Sequence, residues 1–567
     1  MAELDVVIRG GTIADGTGAA LRIGDVGVRD GVVVAVGDVD SSARRTVDAA
    51  GLLVAPGWVD IHTHYDGQAT WDTQLTPSSW HGVTTVVMGN CGVGFAPVRP
   101  RDHNALVELM EGVEDIPGTA LHEGLSWEWE SFAQYLDEID ARPHDVDVAA
   151  QVPHGALRLY VMGERGAAGE AATAEDIALM GRIAREAIAA GGVGFTTSRT
   201  KNHKTSTGAY TPTLRAEAAE LIGIAAEIGR GRKGVLQVVS DFESPADEIM
   251  MLRSMMVESG RALSVSLAQN HRSEDAWRRI VAVIDQFNAE GLEMRAQVAV
   301  RPIGILIGLQ ATVNPLNESA TYRAVAASCA ALTPRVAKLR EPDVRALVLS
   351  ELSAKTQAHW ARQASFVLGD RPNYEPANED SLAVLAARAN VTPMELLYDE
   401  IVRGDGTALI YVPVLNYANG NLDHVEEMLR HPWCVPGLSD GGAHVGTICD
   451  ASFPTTLLQH WGRDRRRGTL PIELLVAQQT RNTALAMGFS DRGVLAQGMR
   501  ADINIIDMDT LMVEPPTMAF DLPAGGKRLL QRARGYRHTF VNGIETYADG
   551  EFTGALPGRL VRGQGSQ

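Results

Sequence analysis

The chain has 567 residues, 45% of them hydrophobic and 21% charged, enough for a large buried core or several domains. Its formal net charge of −19 argues against a general nucleic-acid binder but leaves room for a local basic pocket. Four cysteines are too few for a disulfide framework, the Met-Ala-Glu-Leu-Asp start carries no signal core, and no uninterrupted apolar run reaches about 18 residues. The expectation is a cytoplasmic homo-oligomer acting on a small molecule, with no nucleic-acid or membrane partner.

Residues 4–54 read as short strands with tight turns, Arg29-Asp30-Gly31 lying between two apolar runs as a hairpin signal. The apolar run Gly51–Val59 reads as one buried strand leading into Asp60-Ile61-His62-Thr63-His64. Strand candidates then recur at Thr84–Val87, Val146–Val152, Val193–Thr197, Val235–Ser240, Leu263–Leu267, Arg295–Val300, Leu409–Val414 and Val435–Leu438. Helical patterns such as Ala174–Ala190 and Leu214–Ile228 lie between several of them. Repeated strand–helix alternation predicts a parallel sheet covered by helices. Nine candidates are one too many for a (β/α)8 barrel, so Leu409–Val414 is assigned to an insertion. Ala501–Ile506, Tyr536–Val541 and Ile544–Ala548, with an Asn542-Gly543 turn, return to the all-β texture. The predicted fold is α/β: a (β/α)8 TIM-type barrel plus a small β-sandwich built from both chain ends. Residues 1–54 and 488–550 make the sandwich, 55–487 the barrel with a helical insertion around 310–430, and 551–567 a C-terminal tail.

Chemistry in such a barrel sits at the C-terminal ends of its strands. His62 and His64 end the first strand, two residues apart, and i, i+2 spacing aims two imidazoles at one point. Unrelated strand-end histidines would read the same. Cys91 ends the second strand as a candidate thiolate ligand or a small buried residue. His154 follows the third strand, and Arg199 and His203 follow the fourth, where solvated loop residues are an equal reading. Asp440 emerges from the last strand into Gly441-Gly442, where a carboxylate needs a partner such as a metal, or serves as a turn former.

The stretches Pro56–His64, Gly89-Asn90-Cys91-Gly92, Asp491-Arg492-Gly493 and Gly498–Asp502 together resemble the metal-dependent amidohydrolase superfamily. Glu111-Gly112-Val113-Glu114 and Trp127–Phe132 resemble its N-acyl-D-amino-acid deacylase (D-aminoacylase) branch. The resemblance spans almost the whole chain. It implies a zinc hydrolase cleaving a non-peptide carbon–nitrogen bond, with one or two metal ions. In the wider superfamily a fourth-strand lysine often bridges two metals. This strand has none, only six of the 51 basic residues being lysine, and Cys91 matches the branch's replacement for it. The branch's fifth-strand histidine position holds Gln237. Its sixth-strand histidine position holds Leu267, and Gln269 takes the approximate place of a substrate-binding lysine.

The remaining ligand set is therefore His62, His64, Cys91 and Asp440. One zinc is expected, two being the alternative, with His154 and His203 as reserve ligands. Asp440 would serve as general acid/base for a metal-bound hydroxide, and His154 would hydrogen-bond the developing oxyanion. Arg301 or Arg199 would anchor a substrate carboxylate, with Gln237 and His203 also at the substrate. The expected activity is deacylation of N-acyl-(D-)amino acids or a related N-acyl amide. The alternatives are hydrolysis of another amide, cyclic amide or ester, and a metal-poor binding scaffold.

Overall fold

The computed structural model describes residues 3–563 apart from residue 272, and eight parallel strands form its centre. In chain order they are Trp58–Asp60 (β1), Val83–Met88 (β2), Asp147–Pro153 (β3), Gly194–Arg199 (β4), Val235–Ser240 (β5), Leu263–Leu267 (β6), Met294–Val298 (β7) and Cys434–Pro436 (β8). Every residue of β2 and β3 is buried, as a sheet covered on both faces requires. Just past the strands, the Asp440 amide donates to the His62 carbonyl at 3.1 Å and the His64 amide to the Gly441 carbonyl at 2.7 Å. The Ser439 hydroxyl donates to the buried Asp60 carboxylate at 2.7 Å. These bonds join the last strand to the first and close the predicted barrel.

One predicted strand is in fact two. Gly51–Val59 breaks at Gly57, so that Leu53–Pro56 joins the terminal sheet and Trp58–Asp60 joins the barrel. A Cβ at Gly57 would lie 2.2 Å from the Thr84 hydroxyl, so only glycine lets the chain cross between sheets there. The helix Ala174–Ala189 starts at a Thr173/Asp176 capping box, close to its predicted span. The next one runs Ala218–Arg230, later than predicted, because Leu214 and Ala216 close turns onto Thr211 and Thr213 instead.

Strands from both chain ends share one nine-stranded sheet. Its two sharp hairpins have positive φ at Asp30 and Gly31 and at Asn542 and Gly543, the backbone that makes Asp-Gly and Asn-Gly turns predictive. The sheet is tied to the barrel through Asp147, which accepts from Arg492 at 2.7 Å and Arg500 at 2.8 Å. Those arginines belong to the Asp491–Asp502 stretch, whose work here is structural.

Between β7 and β8, Ile303–Ile307, Phe366–Val367 and Ile410–Leu415 form a separate three-stranded sheet, so the ninth strand candidate lies outside the barrel. The terminal stretch differs from the expected tail. Glu551–Phe552 pairs with the terminal sheet, and the Val561 amide donates to Val148 in β3 at 2.7 Å. Among the described residues no helix is long and apolar enough to cross a membrane.

Candidate metal centre at the barrel mouth

β1 delivers two histidines and the turn after β2 delivers a cysteine to one point. Ligand atoms of His62, His64 and Cys91, all buried, lie within 4.8 Å of one another. Cys91 Sγ is 3.4 Å from His62 Nε2. Asp440 Oδ1 is 3.4 Å from His62 Nε2 and 3.6 Å from His64 Nε2. Donors about 2.0–2.3 Å from a tetrahedral ion stand roughly 3.3–3.8 Å apart, so the contacts of 3.4–3.6 Å that Cys91 and Asp440 make with the two histidines suit the edges of a zinc polyhedron. The backbone is strained where the donors emerge. Cys91, Asp440 and His444 all have φ between 47° and 55°, a region non-glycine residues seldom occupy.

Electrostatics at this point call for a cation. Both ring nitrogens of His64 and both oxygens of Glu114 are buried without a hydrogen-bond partner among the described residues. Burial, then the charges of Glu114, Asp440 and Asp66, push the Cys91 thiol well up. Burial, then Asp440 and Asp66, do the same to the Glu114 carboxyl. Burial alone would raise Asp440, but His64, His62 and His444 outweigh it and hold that carboxyl below the usual range. Soft thiolate, two imidazoles and a carboxylate are a donor set that zinc accepts, and an ion among them would supply the missing partner.

Behind the donors stands a second row of polar groups. His62 Nδ1 lies 2.7 Å from Gln297 Oε1 on β7, which holds the proton on Nδ1 and leaves the Nε2 lone pair facing Cys91 and Asp440. Gln237 on β5 lies 3.1 Å from the same Nδ1. Sequence reasoning missed Gln297, although a glutamine inside the apolar β7 run was a visible signal. It missed Glu114 and His444 as site residues as well. Glu114 appeared only as part of a family likeness, and His444 lies just beyond the Gly441-Gly442 turn that follows Asp440.

Several predicted site residues do other work. His154 has both ring nitrogens engaged, by the Thr197 hydroxyl at 2.8 Å and Glu220 at 2.9 Å, and has none left for an oxyanion. Arg301 is buried in an ion pair with Asp450 at 2.9 Å, with its guanidinium over the Tyr374 ring. Arg199 is held by Glu248 at 2.8 Å. Neither arginine is free to take a substrate carboxylate. Gln237 meets His62 on the nitrogen turned away from the cluster, which removes it from the substrate. Gln269 is tied to the returning insertion through Asn416 and Ala418. His203 does reach the site's edge. Its Nδ1 is 2.9 Å from the Ser198 hydroxyl, and burial, then the charges of His444 and His64, pull it down to about 3.

Asp440 opens into a narrow cleft lined by Pro77, Gly442, Val445, Cys449, Arg528 and Leu529. Leu529 also borders a cavity of about 530 Å³ against Leu309, Val367, Leu409 and Met518.

The model of the amidohydrolase family matches residues 45–547. The chain is 28% identical to a D-aminoacylase of Alcaligenes xylosoxydans xylosoxydans over 98% of its length and 97% of that protein's. It superposes with a TM-score of 0.66 on a D-aminoacylase whose binuclear metal centre was studied, at 25% identity, covering 99% of this chain and all of that one. It also superposes with a TM-score of 0.64 on the N-acyl-D-glutamate deacylase of Bordetella bronchiseptica, solved with zinc and a phosphonate inhibitor, at 26% identity and the same coverage.

Proposed function

The chain belongs to the amidohydrolase family, and from that premise we propose that it is a zinc-dependent deacylase of N-acyl-D-amino acids or closely related N-acyl amides. The observation that carries the reading is the approach of His62 Nε2 to both Cys91 Sγ and Asp440 Oδ1, each at 3.4 Å, beside His64 at the barrel mouth. His62, His64, Cys91 and Asp440 would hold one zinc ion. A second is disfavoured because β5 and β6 offer Gln237 and Leu267 where the related branch places histidines, and Gln237 is engaged behind His62. The deacylase names of the similar proteins support the substrate class.

Zinc, when bound, lowers the pKa of water from 15.7 to about 7 and polarises a carbonyl. The protein's own residues handle the protons. Asp440, ionised and part-exposed at the cleft, accepts the proton of the attacking water at Oδ and returns it to the leaving nitrogen, which would otherwise depart as a strongly basic amide anion. Gln297 keeps His62 in the ligating tautomer. His203, whose Nδ1 meets the Ser198 hydroxyl, is the imidazole at the mouth that can donate to the carbonyl oxygen as it gains charge.

One observation favours a second reading. Arg199 and Arg301 are both consumed in ion pairs, so the anchors expected for an α-carboxylate are engaged, and an amide or cyclic amide without that carboxylate becomes the alternative. A panel of N-acetyl-D-amino acids, their L-enantiomers, and neutral N-acyl and cyclic amides separates the two. Turnover confined to D-enantiomers supports the deacylase. Turnover of the neutral amides with none of the amino acids overturns it.

A further inference from the structure

Glu114 ends the helix His103–Glu114, at the pole where carbonyl dipoles already point a negative charge. It is 1% exposed, and neither oxygen has a hydrogen-bond partner among the described residues. A carboxylate there is disfavoured by burial and by the helix dipole alike, so something must offset both. Two imidazoles face it. Glu114 Oε1 is 3.4 Å from His64 Nδ1, and Glu114 Oε2 is 3.4 Å from His444 Nε2. The backbone ties the same pieces together, because the His444 amide donates to the Glu114 carbonyl, while the Asp115 carboxylate accepts from Gly446 and Thr447 at 3.3 Å.

We propose that Glu114 is a positioning residue, a buried carboxylate that fixes the orientation and tautomer of His64 and His444 together. The proposal rests on the reading of His62, His64, Cys91 and Asp440 as a metal site. A neutral imidazole has one N–H and one lone pair. With a cation among the neighbouring donors to offset the burial that raises it, the Glu114 carboxyl is ionised and only accepts, so Glu114 selects the His64 tautomer with the proton on Nδ1, which leaves the Nε2 lone pair toward Asp440, 3.6 Å away. The arrangement repeats at His62, where the Gln297 carbonyl takes the Nδ1 proton at 2.7 Å. One ligand is thus held by an amide and the other by a carboxylate, and a movement of about 0.4 Å brings the 3.4 Å gap to hydrogen-bond length. On its other side Glu114 selects the His444 tautomer with the proton on Nε2, which leaves the Nδ1 lone pair of that partly exposed ring for the mouth. A carboxylate beyond a metal-ligating histidine typically changes metal affinity by about 10–100-fold when removed.

The test uses the full-length zinc protein with Glu114→Ala and Glu114→Gln, reading the zinc dissociation constant by competition with a chromophoric chelator, the bound zinc at saturation, and the circular dichroism spectrum. The expected result is zinc bound about 10–100-fold more weakly in E114A, part of the loss restored in E114Q through its amide oxygen, and the same saturating zinc content throughout. If E114A does not fold, the isosteric E114Q carries the test, and it must still bind zinc more weakly than wild type. Unchanged affinity in folded variants overturns the proposal. A fall in saturating content by one ion also overturns it, since Glu114 would then be a ligand itself. A wild-type protein that binds no zinc refutes the metal reading beneath it, a result separate from either.

Discussion

Replacing Gln297 with leucine removes the acceptor 2.7 Å from His62 Nδ1 and the donor 3.0 Å from the Ser264 hydroxyl, in a buried part of the barrel. The loss is chemical more than steric, because leucine nearly fills the same volume. The His62 ring then has no neutral acceptor fixing its proton on Nδ1, and the tautomer that presents Nε2 to the cluster is no longer selected. Partners of this kind change metal affinity by about 10–100-fold, which at roughly 1.4 kcal/mol per tenfold is about 1.4–2.8 kcal/mol. Gln237 complicates the single variant. Its amide is 3.1 Å from the same Nδ1, and rotating that amide by half a turn offers its oxygen instead. We therefore expect Gln297→Leu to weaken zinc binding by about tenfold and the double variant with Gln237→Leu by about a hundredfold. The assay is titration of the apo-protein against a chelator of known affinity, with melting temperature as the control for folding. A folded double variant with the wild-type dissociation constant would refute the reasoning, since His62 would then need no partner on Nδ1.

Asp440→Asn should preserve the fold and most of the zinc while lowering turnover by about 10²–10⁴-fold, and retained activity would place the proton transfer elsewhere. Glu220→Gln should cost about 3 kcal/mol, because Glu220 accepts from both His154 and buried Arg158, at 2.9 and 2.8 Å. Its activity per folded molecule should be unchanged, and a loss of turnover at full stability would return His154 to the chemistry. Burial, aided by Arg301 and opposed by the bond to the Gln531 carbonyl, pulls His81 down to about 4. Between that value and about 6.5 the unfolded state binds the extra proton, so this group's contribution to stability falls as pH drops through that window, by about 3 kcal/mol in all. Melting temperature should fall from pH 6.5 to 4, and less steeply in His81→Gln; identical slopes would exclude His81 as the cause.

The barrel was legible because its strands are short apolar runs separated by helical periodicity, and Val235–Ser240 and Leu263–Leu267 match to the residue. The break at Gly57 was not, because it depends on the approach of Thr84, which no local pattern records. His62, His64, Cys91 and Asp440 could be found because strand ends are where a barrel places chemistry. Arg199, Arg301 and His154 sit at the same kind of position and could not be told apart from them. What separates them is a partner distant in sequence: Glu248 for Arg199, Asp450 for Arg301, Glu220 for His154. Glu114 illustrates the converse. It ends a helix, and only the tertiary fold brings it beside His64 and His444.

The central claim is that Cys91 and the two histidines just past β1, His62 and His64, hold one metal ion with Asp440. The most direct measurement is metal content together with the absorption spectrum of cobalt-substituted protein, for wild type and Cys91→Ala. The account predicts about one ion per wild-type chain and a thiolate-to-cobalt charge-transfer band, with the band gone and the metal weakly held in the variant. The same metal content and the same spectrum in Cys91→Ala would contradict it.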